Sequence, residues 1–435
     1  MKLSTYWNDL KKCMLLVIIG GIVGWFLLIA VYSLPIEPME RNVKKALDEL
    51  VELGPAPKLI SDNQAARLDI YSDSVMLNEA IYRGEENIWV SAVGGYEYIY
   101  EGKTAFQSLL AYLSGETGGK GVEYARYWHG YLVFLKPLLT FFSYGDIKGI
   151  NLLFQMLMFG LIIVELSKRK LNRYAYAFLL AIYSLMPLAV TMCLEYSIVF
   201  NIMLISCAVM LVYYERIMDK KIINLFYATI GMVVCYCDLL TYPLVALGYV
   251  LIINIMLECS NNRVDRLKIV CGVLERSFFW GCGYIGIWGI KWILASVFLR
   301  QNIVKKAILF VLYRASTEAS DSGVSEDISR IQALSLNIKT IIVPVLLIAL
   351  GISLFWVLFK YLKMKRLYID SAQIIGELIV AVLPFIWVAF TANHAYVHYW
   401  MVYREFSITV FAIVSIIISL VCTPNISREM SIEKE

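Results

Sequence analysis

Met14-Leu-Leu-Val-Ile-Ile-Gly-Gly-Ile-Val-Gly-Trp-Phe-Leu-Leu-Ile-Ala-Val-Tyr-Ser-Leu34 contains no charged residue. A bilayer core about 30 Å thick needs roughly 20 apolar residues of helix, and this run supplies them. It reads as an uncleaved signal anchor. Its apolar core is longer than that of a signal peptide, and Ala30-Val31-Tyr32-Ser33 lacks the small-x-small pattern of a cleavage site.

Similar runs recur at approximately 149–166, 174–193, 197–214, 222–240, 243–258, 278–298, 340–359, 373–391 and 405–422. Over 435 residues, 60% are hydrophobic and only 17% charged, a balance that excludes an ordinary soluble domain. Continuous apolar runs without two-residue alternation exclude a β-barrel. The expected fold is therefore an all-α integral membrane protein of about ten transmembrane helices, with a large extracytoplasmic first loop that contains interfacial helices. The divisions are 1–34 for the N-terminus and first span, 35–148 for that loop, 149–298 for spans two to seven, 299–339 for a second outer loop, 340–422 for the last three spans, and 423–435 for a tail. No internal repeat is evident.

Charge sets the expected topology. Lys11 and Lys12, Lys168 to Arg173, Arg216 to Lys221, Arg263 to Lys268, and Lys360 to Arg366 make every second loop basic. The positive-inside rule then puts both termini in the cytoplasm of a multi-pass cell-membrane protein. The net charge of +4 is dispersed among these clusters, so it does not form a nucleic-acid surface, and no nucleic-acid partner is expected. The nine cysteines fall in or beside spans or on the inner side, and 35–148 has none. A disulfide-stapled ectodomain and a cysteine-ligated metal are thereby disfavoured. No Walker-type or dinucleotide-binding glycine motif is present.

Within the first loop, the spacing at 37–53 predicts an amphipathic surface helix ended by Gly54-Pro-Ala-Pro57. Residues 74–82 predict a short helix, 89–100 a hairpin or loop, and 131–142 a re-entrant or interfacial helix too short to span. The tract Ser316 to Asp327 reads as a solvated linker.

The candidate chemistry lies mostly outside the spans. Asp69 and Asp73, at i and i+4, put two carboxylates on one helical face, an arrangement that suits a general base but also ordinary N-capping. Arg126, His129 and Lys136 lie in an aromatic stretch at headgroup level, able to bind phosphate or simply to reach the interface. Glu195 and Asp238 stand at outer span ends, where an ionisable residue usually faces a watery cavity. His394, His398 and Arg404 share one outer turn. The histidine pair has zinc-ligand spacing but lacks the glutamate of HExxH, so the metal assignment stays open.

Four strings, Leu68 to Asn78, Arg126 to Tyr131 with Lys136 to Leu139, Asp238 to Pro243, and Asn393 to His398 with Arg404, carry a resemblance. Together with the order of first span, long outer loop and helix bundle, they resemble the GT-C superfamily of polytopic membrane glycosyltransferases, in a poorly characterised bacterial branch. The resemblance implies sugar transfer from a polyprenyl-phosphate donor to a cell-envelope glycan, lipid or polymer acceptor at the outer face. It implies inversion, with Asp69 or Asp73 as base. Arg126, His129, Lys136, Glu195, Asp238, His394, His398 and Arg404 become candidate substrate and phosphate ligands, membrane lipid a partner, and a divalent ion an optional cofactor. Asp69 lies 35 residues beyond Leu34, farther than such enzymes commonly place their acidic motif. Two other functions fit the sequence: a transporter or flippase for a lipid-linked saccharide, and a non-catalytic membrane partner protein.

Overall fold

The computed structural model describes residues 3–261, 264–321, 324–342, 350–352, 354–356, 358–359, 362 and 370–421. Among them the secondary structure is helical apart from two small two-stranded sheets, so the all-α expectation holds. Six helices are long and apolar enough to cross a bilayer: Tyr6–Tyr32, Tyr144–Lys168, Leu194–Asp219, Arg266–Leu299, Ser371–Phe390 and Tyr399–Leu420. Leu132–Phe141, Ile223–Cys237 and Val245–Ser260 are apolar but shorter.

The lipid-facing surfaces follow from helical periodicity. Met14, Leu15, Ile18, Ile22 and Phe26 are exposed on one stripe of the first helix, while Cys13, Val17 and Leu28 point inward. Such a stripe is costly in water and costs nothing in hydrocarbon. Inside the bundle, small residues bring backbones together. A Cβ on Gly231 would stand 2.1 Å from the Trp280 carbonyl oxygen, and one on Gly283 would stand 2.0 Å from that of Ala228. Helices Ile223–Cys237 and Arg266–Leu299 therefore touch through their main chains.

The stretch 174–193, expected as one span, is two short helices, Ala175–Ser184 and Pro187–Met192. Pro187 disfavours helical geometry in the residue before it, and Met186 takes a left-handed conformation with φ 56°. Of the span expected at 340–359, residues 343–349, 353 and 357 lie outside the described residues.

The first loop is a folded cap. It runs through helices Ile36–Lys44, Leu47–Leu53, Ile70–Ile81, Ile88–Gly94, Ala105–Leu113 and Leu132–Phe141, with strand Tyr96–Ile99 antiparallel to Lys120–Glu123. The surface helix expected over 37–53 is broken near Lys45. The helix expected from Ser74 starts earlier, at Ile70, because Asp69 caps it. Pro137 sits inside Leu132–Phe141 without ending that helix.

The loop 299–339 is also folded, against the linker reading. Helix Ile303–Arg314, the hairpin Glu318–Asp321 with Val324–Asp327, and helix Arg330–Ile341 follow one another. A capping box of Ser329 and Gln332 starts the last helix, and Asn393 donates to the Glu318 carbonyl at 2.5 Å. The polar composition that suggested a linker instead supplies caps and docking bonds. The eight cysteines among the described residues are free.

Candidate functional site

Asp69 has two fixed contacts. One oxygen accepts the Ser72 backbone N–H at 3.0 Å, and the other accepts Trp400 Nε1–H at 3.2 Å. The Trp400 ring is covered by the Arg67 guanidinium at 3.7 Å. A carboxylate has about four acceptor positions, so Asp69 keeps capacity for a further donor.

Asp73 differs in this respect. It is fully buried, and Tyr144 Oη–H donates to it at 2.6 Å, Leu194 N–H at 2.9 Å, Glu195 N–H at 3.0 Å and Cys193 Sγ–H at 3.3 Å. Four donors exhaust it. Burial pushes its carboxyl above the usual range while these bonds pull it back. Its position at the first N–H groups of helix Leu194–Asp219 is that of an anionic cap supplied by a distant segment.

Glu195 lies beside these groups and is only 3% exposed, with Oε2 unpartnered. Ser72 bonds to it, and Asp69, Asp73 and Asp238 act on it electrostatically. Asp238 is held in its turn by Thr241, whose hydroxyl donates at 2.6 Å and whose N–H donates at 3.0 Å. Burial raises its carboxyl to about 6 against those bonds. The same turn gives Leu240 a φ of 72° and exposes its carbonyl to His394 Nε2 at 2.7 Å.

Because a carbonyl only accepts, His394 carries its proton on Nε2 and leaves Nδ1 as a bare acceptor. Nδ1 of His394 and Nδ1 of His398 are both buried without a partner, and the rings lie 4.9 Å apart. Burial, with the Arg314 charge second, pushes His394 down to about 3. Burial and then the neighbouring His394 lower His398 as well. The pair is neutral near pH 7. Among the described residues, no group of three or more His, Cys, Asp or Glu side chains is placed to hold a metal ion.

The positive side of the site consists of arginines. Arg67, Arg126 and Arg314 each have an unpartnered buried Nε, and no ion pair among the described residues holds them. Tyr127, whose burial pushes its hydroxyl up to about 12, lies under the influence of Arg314 and Arg126 as well as Asp238 and Glu195. It marks where the basic and acidic sides meet. Trp288 and Trp292 donate to the Arg126 carbonyl at 2.8 and 3.1 Å, fixing that backbone.

No protein family, curated protein or solved structure matches the chain. The reading of the site therefore rests on its own geometry.

Of the ten sequence candidates, Asp69, Glu195, Asp238, Arg126, His394 and His398 surround this site. Asp73 and Arg404 form its wall. Arg404 is fully buried, donating to the carbonyls of Leu185 at 3.0 Å and Trp400 at 2.8 Å while stacking 4.0 Å over Tyr196. Lys136 stands apart, in the cap core, whereas the His129 ring packs 5.2 Å from Tyr124 and 6.4 Å from Tyr127, behind Arg126. His129, with φ 56°, pairs with Glu79 at 2.9 Å and contacts the Tyr124 carbonyl at 2.7 Å. Lys136 donates to the Ala80 carbonyl at 2.6 Å, and burial lowers it to about 7. Arg67, Arg314, Tyr127 and Trp400 escaped the sequence reading. The only signal for Arg314 was its position at the edge of a tract otherwise read as a linker.

A separate apolar groove of about 440 Å³ runs between helices Leu132–Phe141, Tyr144–Lys168 and Leu194–Asp219, lined by Phe134, Leu138, Ile150, Phe154 and Ile202. Leu194 and Cys237 also line it, and they are the chain neighbours of Glu195 and Asp238.

Proposed function

We propose that the chain is a GT-C-type membrane glycosyltransferase that moves a sugar from a polyprenyl-phosphate-linked donor onto a cell-envelope acceptor. The observation that carries this reading is an underused carboxylate, Asp69, held on the Trp400 indole whose ring the Arg67 guanidinium covers. In this reading the groove takes the isoprenoid chain and the arginines face the phosphate. About ten spans, cytoplasmic termini and a site at the outer face of the cell membrane belong to the same proposal.

The chemistry is an inverting displacement. Asp69 accepts the proton of an acceptor hydroxyl as that oxygen bonds to the anomeric carbon. The bond from this carbon to the phosphate oxygen breaks, and its electron pair leaves with the lipid phosphate. Guanidinium groups stabilise the departing charge, so no general acid is required. Asp69 suits the role better than Asp73 because only Asp69 has acceptor capacity left.

A flippase would need charge along a continuous path. Lys291 and Glu377, both buried within spans, share no hydrogen-bond partner: Lys291 donates to Val93, while Glu377 accepts from Gln373 and Ser415. The test is transfer by purified protein in lipid from a radiolabelled polyprenyl-phosphate sugar pool to envelope acceptors. Labelled product that depends on Asp69 is expected; undiminished transfer in Asp69→Asn would remove the proposed base.

A further inference from the structure

Arg126 and Arg314 share one aromatic ring. The Arg126 guanidinium carbon lies 4.6 Å from the Phe310 centroid and that of Arg314 lies 4.9 Å from it, so the two charges are closer together than the sum of these distances. Like charges at this separation repel, and an anion bonded to both guanidinium groups offsets that repulsion.

Both are held from behind, with no ion pair to either among the described residues. Two tryptophan N–H groups fix the Arg126 carbonyl, and its guanidinium also stands over Tyr124 at 5.1 Å. Arg314 donates to the Asn393 side-chain oxygen at 3.3 Å, and Asn393 is itself tied to the Ser316 and Glu318 carbonyls. The carboxyl that acts on Arg126 is Glu97, which burial and then Glu79 raise to about 8, against the pull of Arg126 itself. Glu97 is therefore largely uncharged at neutral pH. Asp238 and Glu195 face Tyr127 from the acidic side, and Arg67 is committed to the Trp400 ring beside Asp69.

We propose that Arg126 and Arg314, spaced by Phe310, form a clamp for two linked phosphates, so that the donor is a lipid-linked diphosphate sugar. The inference rests on the glycosyltransferase reading for the word donor, but the clamp itself does not. Each guanidinium takes one phosphate through paired N–H groups, which a single tetrahedral phosphate does less well across the ring. A free nucleoside diphosphate presents the same phosphates without a chain for the apolar groove.

The experiment measures binding of farnesyl diphosphate, farnesyl monophosphate and uridine diphosphate to the full-length protein in nanodiscs, read by quenching of tryptophan fluorescence. In the wild type, farnesyl diphosphate should bind about tenfold or more tighter than either comparator. In Arg126→Gln or Arg314→Gln the ratio to the monophosphate should fall to about one. A wild-type ratio near one, or a ratio that survives both substitutions, overturns the clamp. Uridine diphosphate binding as tightly as farnesyl diphosphate overturns the lipid-linked donor. The wild-type ratio needs no variant, so a misfolded substitution does not protect the proposal. Discrimination by a protein that transfers no sugar sinks the enzyme reading alone; transfer from a monophosphate donor with no discrimination sinks the clamp alone.

Discussion

Asp69 and Asp73 are the same residue type four positions apart, and their neighbours give them different work. The Trp400 bond that orients Asp69 crosses 331 positions, and the Leu194 bond that occupies Asp73 crosses 121. The sequence pattern therefore exposed the pair, but not the division between them, because both deciding partners arrive through the fold. Arg67 and Arg314 went unnoticed for a related reason: Arg67 lies in a polar stretch without periodicity, and Arg314 ends an apolar helix, where a terminal basic residue is ordinary. Trp400→Phe removes the N–H that holds Asp69 but keeps an aromatic ring for Arg67. We expect the transfer rate to fall with little change in thermal stability, checked by parallel rate and melting measurements.

His394 makes a residue-scale prediction in pH. Its folded value of about 3 lies below the ordinary 6.5, so between those values the unfolded chain binds a proton that the folded chain refuses. The stabilisation is fully present above about pH 6.5 and is lost as pH falls toward the folded value. His394→Gln keeps an N–H donor for the Leu240 carbonyl but removes the titration. Its melting temperature should depend less steeply on pH between 6 and 4, by about the contribution of one proton. Equal slopes in variant and wild type would contradict the neutral, buried assignment.

At the scale of elements, long apolar helices were legible because burial in lipid demands uninterrupted runs. The break at Met186-Pro187 was less so, since a run of that composition suits one helix or two. The fold of the loop 299–339 was not legible in its composition because Ser, Asp and Asn serve equally as solvated spacers and as caps. Helix Leu194–Asp219 depends on Asp73 for its N-terminal anion. Asp73→Asn should destabilise the protein by about 1–3 kcal/mol, seen as a lower melting temperature in detergent. Gly283→Ala places a methyl group against the Ala228 carbonyl and should force helix Ile223–Cys237 away, with a comparable loss of stability.

At the scale of the whole molecule, hydrogen bonds tie the cap to the helix bundle. The Ala65 carbonyl in the cap accepts from Tyr403 Oη–H at 3.0 Å, and the Gly130 N–H donates to the Tyr236 carbonyl at 2.8 Å. The first tie joins the cap to the turn 391–404 and the second joins it to helix Ile223–Cys237. In a variant whose native cysteines are replaced, a single cysteine at Glu52 or Glu116 should react with a membrane-impermeant maleimide from outside intact cells. One at Lys220 should react only after permeabilisation. The reverse pattern would turn the topology over and place the site on the inner face.

The most direct test of the account separates the two aspartates by two readouts on the same preparations. Transfer rate and melting temperature are measured for wild type, Asp69→Asn and Asp73→Asn. The account predicts that Asp69→Asn loses about 10²–10⁴-fold in rate while melting near the wild type. Asp73→Asn should melt lower, yet keep most of its rate at a temperature where it remains folded. A folded Asp69→Asn that transfers sugar at the wild-type rate would contradict the central claim.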